Sequence, residues 1–216
     1  AGWSGVAPAA EVLFVGSMEG QLLALDQETG ELRWQFPKDF PGRGERLESI
    51  YGTPAVDGSK VFVTEFAPRE SRGTLYALDW EQREVAWVVD WVGPIVGAPV
   101  VSGSQVLVGS DDGFLYAFDI ADGKPLWQFP VAGRSPIGKV WSTPTVTDGI
   151  VYFGSMDHKV YALDVVTGDK VWEFESGGVV YASPLVEAGR VYVGSFDRYF
   201  YALDGQTGEQ LWKFRA

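Results

Sequence analysis

Short apolar runs that alternate with polar residues recur along the whole chain. Runs such as VFV, VLV, VYF and VYV are followed by a second run of the type LYALD and a third that ends in Trp. A shorter stretch precedes each, around Pro54, Pro99, Pro144 and Pro184. Period-two alternation bounded by Gly and Asp turns is typical of β-strands, whereas no stretch has the spacing and caps of an amphipathic helix. The pattern predicts an all-β fold with four strands in each unit.

One phrase, Ala-x-Asp-x-x-x-Gly-x-x-x-Trp, marks five repeats of this unit. Its aspartates are separated by 53, 40, 45 and 40 residues. A period near 40 residues with several strands per unit is typical of β-propeller blades. We expect one propeller domain over residues 1–216, built from four-stranded antiparallel blades, either as a five-bladed ring or as an arc of a larger ring. The repeats cover approximately residues 1–36, 50–89, 95–129, 139–174 and 180–214.

The recurring phrase favours a structural role over a catalytic one. The Asp can accept N–H bonds from the turn that follows, the Gly supplies a positive φ, and the Trp can cover the neighbouring blade. Five copies around a ring would lie far apart, and one active site does not need five. In the second repeat Arg83 replaces Gly, which predicts a wider turn or a strained positive φ. The residues assigned to docking between blades are Asp26, Trp34, Asp79, Trp87, Asp119, Trp127, Asp164, Trp172, Asp204 and Trp212.

Composition narrows the classes of function. The net charge of −12 and the sequence pI near 4.5 argue against nucleic-acid binding, which needs a basic surface. Cysteine is absent, so disulfides and thiolate metal sites are excluded, and no apolar run reaches the roughly 18 residues of a membrane-spanning helix. Asparagine is absent as well, which fits a heat-adapted source.

The five in-phase phrases resemble the tryptophan-docking motif of the pyrroloquinoline-quinone-like (PQQ-like) repeat β-propellers, over essentially the whole chain. That family includes quinoprotein dehydrogenases and also non-catalytic propellers, such as the lipoprotein of the outer-membrane β-barrel assembly machinery. The resemblance implies a ring of seven or eight blades. It also implies an extracytoplasmic location, whether periplasmic, lipid-anchored or at the cell surface.

Quinone chemistry is not expected, although the resemblance keeps it as an alternative. Family enzymes hold the quinone and Ca²⁺ with Glu, Asn and Asp ligands and often carry a cysteine pair, but this chain has neither Asn nor Cys. An Asp could replace the Asn, because Ca²⁺ accepts carboxylate oxygens. His158, the only histidine, and the stretch Asp111-Asp112-Gly113 both fall in turns between strands, where a solvated side chain and a hairpin are the simpler interpretations. We therefore assign no catalytic, cofactor or metal residue.

A binding surface is expected at one mouth of the central channel. Three long connections, residues 37–50, 65–73 and 130–139, converge on that face, and long loops on a rigid scaffold often carry function. The first two are locally basic, although interleaved glutamates would also suit a solvated loop. Aromatic residues are expected around the same mouth, with Val96 as a gap, where they either grip a ligand or plug the channel. The predicted rim comprises Trp3, Tyr51, Trp141, Tyr181, Arg43, Arg46, Arg69 and Arg72.

These observations favour a non-catalytic scaffold that binds another protein, a peptide or a ligand. Two alternatives stay open at this point. One is a degenerate quinoprotein dehydrogenase. The other is a structural arc that completes a larger propeller with another chain or segment, or by oligomerisation.

Overall fold

The computed structural model describes residues 4–40, 47–67 and 71–216, apart from the side chain of Trp91. Twenty β-strands form five separate sheets of four antiparallel strands. In every sheet the strands are hydrogen-bonded in chain order, because each connection is a short turn to the adjacent strand. Within these ranges no helix is present, and nothing is long and apolar enough to cross a membrane as a helix.

Each sheet is one blade, and its four strands run from the inside of the propeller to the outside. The first blade contains β1 (Val6–Ala9), β2 (Val12–Gly16), β3 (Leu22–Asp26) and β4 (Leu32–Phe36). The second contains β5 (Ala55–Asp57), β6 (Lys60–Ala67), β7 (Arg72–Asp79) and β8 (Glu84–Val92). The third contains β9 (Val100–Ser102), β10 (Gln105–Gly109), β11 (Leu115–Asp119) and β12 (Pro125–Phe129). The fourth contains β13 (Thr145–Thr147), β14 (Ile150–Gly154), β15 (Lys159–Asp164) and β16 (Lys170–Glu175). The fifth contains β17 (Leu185–Glu187), β18 (Arg190–Gly194), β19 (Tyr199–Asp204) and β20 (Gln210–Arg215).

The blades pack face to face in chain order. The innermost strands contact one another in the succession β1, β5, β9, β13 and β17. Four hydrophobic clusters fill the four gaps between consecutive blades. In the first gap, for example, Phe14, Trp34 and Phe36 of the first blade meet Val61, Tyr76 and Leu78 of the second. The predicted all-β propeller of four-stranded antiparallel blades is therefore confirmed, and each short inner strand of blades two to five begins one residue after its proline.

The outer face of the fifth blade is exposed, although the equivalent face of the first blade is buried against the second blade. On the fifth blade, Phe200, Trp212 and Phe214 are 40%, 44% and 66% exposed, whereas their first-blade equivalents Leu22, Trp34 and Phe36 are at most 4% exposed. Since a closed five-bladed ring would bury both sets alike, the described residues form an open arc. The exposure of these fifth-blade side chains therefore argues against a closed five-bladed ring.

Candidate functional site

An aspartate ends the third strand of every blade and caps the turn that follows. The Oδ1 atom of Asp164 accepts hydrogen bonds from the backbone N–H groups of Val166 and Thr167, both at 2.9 Å. One or both of the same turn positions donate to Asp26, Asp79, Asp119 and Asp204. Each carboxylate therefore holds its own turn together, as the sequence predicts.

These bonds favour the charged carboxylate and so shift its pKa. The N–H groups of the turn, that of Thr207 foremost, lower the pKa of Asp204 below its usual value, and Asp164 behaves in the same way with Thr167. For Asp26 the largest contribution is the Arg33 guanidinium, which lies 2.6 Å from Oδ2 and holds the pKa of that carboxyl well below its usual range. A carboxylate that stays ionised and is committed to hydrogen bonds is poorly suited to act as a general base near neutral pH.

The tryptophan of each repeat lies against the turn of the next blade. The indole N–H groups of Trp87, Trp127 and Trp172 donate to backbone carbonyls of the following blade at 3.2, 3.1 and 2.9 Å, respectively. The acceptors are Ile120, Val165 and Gly205, each of which directly follows the capping aspartate.

The glycine of the same turn makes the close approach of the indole possible. Gly208 adopts a φ of +74°, and a Cβ atom there would lie 2.7 Å from Trp172. Gly123 and Gly168 stand in the same relation to Trp87 and Trp127, with distances of 2.7 and 2.6 Å. Only glycine avoids both the unfavourable φ and the collision at these positions.

The second repeat departs from this pattern because it has Arg83 in place of the glycine. Of the two predicted outcomes, a wider turn or a strained positive φ, the structure shows the strained positive φ. Arg83 occupies the glycine position and adopts a φ of 56° in a turn of the same length. Its side chain is exposed, so no visible packing compensates for the unfavourable backbone conformation. The tryptophan that precedes this blade, Trp34, is nevertheless buried, and packs against Phe14 and Phe40 at centroid distances of 5.6 and 5.3 Å.

The opposite face of the arc carries the mouth of the channel. There, the turn between the second and third strands of a blade is hydrogen-bonded to the connection that enters the same blade or the next one. The N–H groups of Asp111, Met156 and Phe196 donate to Pro94, Lys139 and Val179 at 2.8, 3.0 and 3.0 Å. These turns therefore lie on the same face as the described connections beside them, among which is the end of the long connection 130–139.

Small residues bring neighbouring blades close together around the channel. A Cβ atom on Gly52 would lie 2.6 Å from the carbonyl oxygen of Gly97, and one on Gly97 would lie 3.0 Å from that of Ser142. These three residues directly follow Tyr51, Val96 and Trp141, so the predicted rim positions of adjacent blades are neighbours around the channel.

The described aromatic residues of the predicted rim fall into two groups. Trp141 and Tyr181 lie together, with ring centroids 5.3 Å apart, and Phe196 packs edge-on against Tyr181 at 4.8 Å. We call Trp141, Tyr181 and Phe196 the mouth cluster. Tyr51 instead packs against Phe66 at 5.1 Å. Phe196 is not among the predicted rim residues, yet it is 71% exposed and is the most accessible aromatic side chain of the mouth cluster.

A charged pair orients one end of the mouth cluster. Lys139 Nζ lies 2.7 Å from Asp111 Oδ2 and 5.6 Å from the centroid of Trp141, whose indole N–H donates to the other oxygen of Asp111. The position of Trp141 is thus set by hydrogen bonding and by a cation–π contact, whereas Phe196 at the other end is held by ring packing and its backbone.

Of the four arginines predicted for the rim, only Arg72 is among the residues that the structure describes. Trp3, Arg43, Arg46 and Arg69 lie outside the described residues. Arg72 is placed at the start of β7, with an exposed side chain. The proposed basic character of the mouth therefore stays a prediction.

The mouth also contains a set of aspartate–tyrosine hydrogen bonds that the sequence analysis does not predict. The Oδ2 atoms of Asp112, Asp157 and Asp197 accept the hydroxyl hydrogen of a tyrosine four residues later at 2.9, 2.5 and 2.6 Å. The signal for it is the spacing Asp-x-x-x-Tyr, which recurs at residues 112–116, 157–161 and 197–201. Asp112 and Asp197 also accept the N–H groups of Gly93 and Gly177 from the preceding connection, at 3.0 and 2.7 Å.

The tyrosine–aspartate contacts shift the pKa values of the three tyrosines and of Asp197. Burial, followed by the neighbouring aspartate, raises the pKa of Tyr201 to about 12 and raises the pKa values of Tyr116 and Tyr161 further. Burial alone would raise the pKa of Asp197, but hydrogen bonds from Tyr201 and from backbone N–H groups outweigh it and lower that pKa. In each pair the tyrosine hydroxyl is bonded to the carboxylate, and in the third and fifth blades the carboxylate also binds the preceding connection, which indicates a structural role.

The two motifs considered for other chemistry are also explained by turns. Asp111 is paired with Lys139, and Asp112 belongs to the network above, so neither carboxylate of the Asp-Asp-Gly stretch is free. His158 is exposed at a φ of 73°, and its backbone carbonyl accepts hydrogen bonds from both the N–H group and the hydroxyl of Ser176. The hairpin and solvated-turn interpretations fit these geometries.

A shallow cleft of about 440 Å³ lies beside the mouth between the second and third blades. It is lined by Ser71, Gly93, Pro94, Asp111, Asp112 and Lys139. Across the described ranges, no three histidine, aspartate or glutamate side chains converge as a metal site would require. The two carboxylates that line this cleft, Asp111 and Asp112, are already paired and so do not fit a role as Ca²⁺ ligands.

Comparison with known sequences points to one family. A family model described as outer membrane protein assembly factor BamB matches residues 44–142 and 131–216. A BamB of Xanthomonas campestris pv. campestris is 32% identical over 131 residues, which are 59% of this chain and 30% of that protein. The chain thus spans less than a third of the curated relatives that it matches. An enzyme, lupanine 17-hydroxylase [cytochrome c] of a Pseudomonas species, is 29% identical over 136 residues, or 55% of this chain and 19% of the enzyme.

A solved structure extends the similarity to the whole fold. The crystal structure of BamB from Moraxella catarrhalis superimposes with a TM-score of 0.78 and 22% identity, over 98% of this chain and 64% of that one. This likeness concerns the propeller architecture and does not by itself assign a function.

Proposed function

This chain belongs to the family of the outer membrane protein assembly factor BamB, and from that premise we propose that it is a non-catalytic scaffold for protein binding outside the cytoplasm. Its partner would be another protein of outer-membrane protein assembly, which is the process that the relatives' name states. The binding surface would be the channel mouth, centred on the mouth cluster.

The observation that carries this proposal is the mouth cluster itself. Aromatic side chains held rigidly by their neighbours and open to solvent at one end are typical anchors of protein interfaces, because they bury a large area at a small cost in conformational entropy. Trp141 and Tyr181 are half-buried and fixed, and Phe196 leaves most of its ring free for a partner. Met18, which occupies the position of Phe196 in the first blade, is exposed as well.

The carboxylates of the mouth support the non-catalytic part of the proposal. Each of the described aspartates considered for chemistry is hydrogen-bonded to a tyrosine, a lysine or a tryptophan, or to the backbone of its turn. A general base would need a carboxylate that is free to reach a substrate. A match to the dehydrogenase subunit of an alcohol dehydrogenase (quinone) of Gluconacetobacter polyoxogenes, 30% identical over 55% of this chain, keeps a degenerate dehydrogenase as the second candidate.

A binding experiment with a positional control tests the surface. Phe196→Ala removes the exposed end of the mouth cluster, and Val166→Ala removes an apolar side chain of similar exposure, 68%, from the opposite face. The probe is the detergent-solubilised outer-membrane assembly complex of Xanthomonas campestris, freed of its own BamB. We expect the wild-type chain and Val166→Ala to bind the complex, and Phe196→Ala to bind at least about tenfold more weakly, a loss of roughly 1.4 kcal/mol. Equal binding by both variants would show that the mouth cluster is not the interface.

An activity measurement tests the absence of catalysis. The purified chain is incubated with pyrroloquinoline quinone and Ca²⁺, and alcohols or aldose sugars are offered together with an artificial electron acceptor. We expect no oxidation above that of the protein-free mixture. Turnover that depends on the protein would favour the dehydrogenase instead.

A further inference from the structure

A cavity of about 320 Å³ lies in the joint between the fourth and fifth blades, on the face that carries the aspartate-capped turns. Its walls include Asp148, Ile150, Tyr152, Val171, Gly205 and Gln206. We propose that this cavity binds a small primary alkylamine, whose ammonium group takes the place that the Lys60 side chain occupies between the second and third blades. The site lies away from the mouth, and the proposal does not depend on protein binding there.

The joint between the second and third blades already contains such an ammonium group. Lys60, Gln105 and Ile150 occupy the same position in successive blades, because each is the Cα partner of the capping aspartate of its own blade. Lys60 Nζ donates to the carbonyl oxygens of Ile120 and Ala121, in the capped turn of the next blade, at 3.1 and 3.4 Å. The backbone of such a turn can therefore accept a primary ammonium.

The joint between the fourth and fifth blades lacks both kinds of side chain that fill the two preceding joints. Ile150 carries no hydrogen-bonding group, whereas the equivalent Gln105 accepts the indole N–H group of its joint at 3.0 Å. In the turn of the next blade, Gly205 stands where Ile120 and Val165 contribute to the hydrophobic clusters of their joints. The cavity follows from these two replacements together, because the strand offers no polar group and the turn offers no side chain.

The capped turn of the fifth blade retains one unused backbone acceptor. The carbonyl oxygen of Gly205 accepts the Trp172 indole and the Tyr152 hydroxyl at 2.9 and 3.0 Å, so both of its lone pairs are occupied. The carbonyl of Gln206 is the counterpart of the Ala121 acceptor, and no N–H or O–H group of the described residues donates to it. An incoming ammonium would therefore bind the Gln206 carbonyl.

The electrostatics of the cavity favour a cation. Asp148 is the one residue of the described lining that carries a charge, and no basic side chain of the described ranges forms an ion pair with it. Burial, followed by the charges of Asp148 and Asp204, raises the pKa of Tyr152, because a negative potential disfavours ionisation of the hydroxyl. Ile150 and the 48% exposed Val171 supply an apolar wall for an alkyl chain.

The size of the cavity favours a free amine as its occupant. A volume of about 320 Å³ is at the lower end of the range for small-molecule sites. An ammonium bound to an acidic and a carbonyl oxygen, with a short chain against the apolar wall, matches both the polar and the apolar parts of the lining. A lysine side chain of a partner protein presents the same chemistry, and the experiment distinguishes the two sources.

A titration of the 216-residue chain with n-butylamine hydrochloride, followed by amide NMR spectra at neutral pH and constant ionic strength, tests the ligand class. We expect saturable shifts at the amides of Gly189, Gly205 and Gln206. n-Butanol, which has the same chain length without the charge, should bind at least about tenfold more weakly. Equal binding of the two compounds, or shifts that spread over the acidic surface without saturation, would overturn the proposal.

Nα-Acetyl-lysine methylamide distinguishes the sources of the ammonium in the same titration. It should bind no more tightly than n-butylamine if the occupant is a free amine. Tighter binding would overturn that assignment in favour of a lysine side chain of a partner protein.

Two substitutions test the residues of the cavity. Asp148→Asn removes the charge and keeps the turn, because asparagine tolerates the positive φ of 49° at this position. It should weaken n-butylamine binding about five- to tenfold. Glu28→Gln removes the same charge from an exposed position in the turn of the first blade and should bind n-butylamine as the wild-type chain does. Equal binding by Asp148→Asn and Glu28→Gln would show that Asp148 does not hold the ammonium.

Ile150→Lys builds the ammonium group of Lys60 into the cavity itself. We expect this variant to lose saturable n-butylamine binding, whereas Ile150→Val, which leaves the cavity open, should retain it. The amide spectra of both variants report at the same time whether the fold is intact. A folded Ile150→Lys chain that binds n-butylamine as tightly as the wild type would place the amine elsewhere and overturn the proposal.

Discussion

The joint between the fourth and fifth blades and the open outer face of the fifth blade contain nearly the same arrangement of side chains. Tyr152 and Trp172 lie 5.8 Å apart at an interplanar angle of 48°, and Tyr192 and Trp212 lie 6.0 Å apart at 47°. Yet Trp172 is 7% exposed and Trp212 is 44% exposed. The blade therefore orients its own tryptophan, and the neighbouring blade supplies the burial. The orientation of the indole is thus set within one blade, whereas the stability that the indole provides depends on burial by the next blade.

The largest expected effect tests whether burial by the next blade is the source of the stability. Trp172→Ala should lower the free energy of unfolding by about 3–5 kcal/mol, because it removes a buried indole and one of the two side-chain donors to the carbonyl of Gly205, the other being the Tyr152 hydroxyl. Trp212→Ala should cost about 1 kcal/mol or less, since much of this ring is already in contact with water. Urea unfolding followed by circular dichroism measures both. Equal losses would mean that burial at the joint is not the source of the stability.

The glycines of the two turns sharpen the comparison. Gly208→Ala and Gly30→Ala place the same methyl group at nearly the same φ, +74° and +71°. Both should lose about 1–2 kcal/mol to the left-handed backbone conformation. Only Gly208→Ala brings the methyl group within 2.7 Å of an indole, which should cost a further 1–3 kcal/mol or so.

Differential scanning calorimetry of the two glycine variants isolates the contact with Trp172, because the strain of the turn is common to both. If Gly30→Ala proved as costly as Gly208→Ala in the 216-residue chain, the turn conformation alone would explain the glycines.

The second repeat offers a gain in stability rather than a loss. Arg83 stands at the glycine position with a φ of 56° and an exposed side chain. Arg83→Gly should raise the free energy of unfolding by about 1 kcal/mol through relief of the left-handed strain. Arg83→Ala is the matched control, because it removes the guanidinium but keeps a Cβ atom, so it should give no comparable gain. A larger gain from Arg83→Ala would assign the effect to charge.

The sequence predicts the parts of this structure that repeat, and it misses the parts that depend on neighbours. The alternation of the strands, the turn held by Asp164 and the two outcomes for Arg83 all follow from local chemistry. The exposure of Trp212 does not, because its sequence context is the same as that of Trp172. Phe196 escapes prediction for a similar reason: its equivalents are Met18, Phe66, Asp111 and Met156, so no single residue type marks the position in all repeats.

The tyrosine–aspartate network at the mouth has a sequence signal that is weaker than that of the docking phrase. Its Asp-x-x-x-Tyr spacing occurs in three of five repeats, whereas the aspartate and tryptophan of the docking phrase occur in all five. The spacing places both residues on the same side of a turn and strand, where the hydroxyl reaches the carboxylate. A partial repeat can therefore mark a real contact in a propeller, because each blade needs only its own pair.

The smallest expected effect concerns acid stability and separates two turns that look alike. Backbone N–H groups lower the pKa of Asp204, which caps the turn on Trp172, whereas the Arg33 guanidinium is the largest cause of the lowered pKa of Asp26 in the open turn. A carboxyl whose pKa is lower in the folded state stabilises the fold above its unfolded pKa of roughly 4, and that stabilisation is lost as the pH falls through the folded pKa.

Asp204→Asn and Asp26→Asn should therefore each flatten the decline in stability below about pH 4. Salt should weaken the contribution of Asp26, because its ion pair is exposed, and should leave that of Asp204 nearly unchanged. Unfolding midpoints between neutral and acidic pH at low and high salt measure this difference, and an equal salt dependence for the two variants would show that the two turns are held by the same interaction.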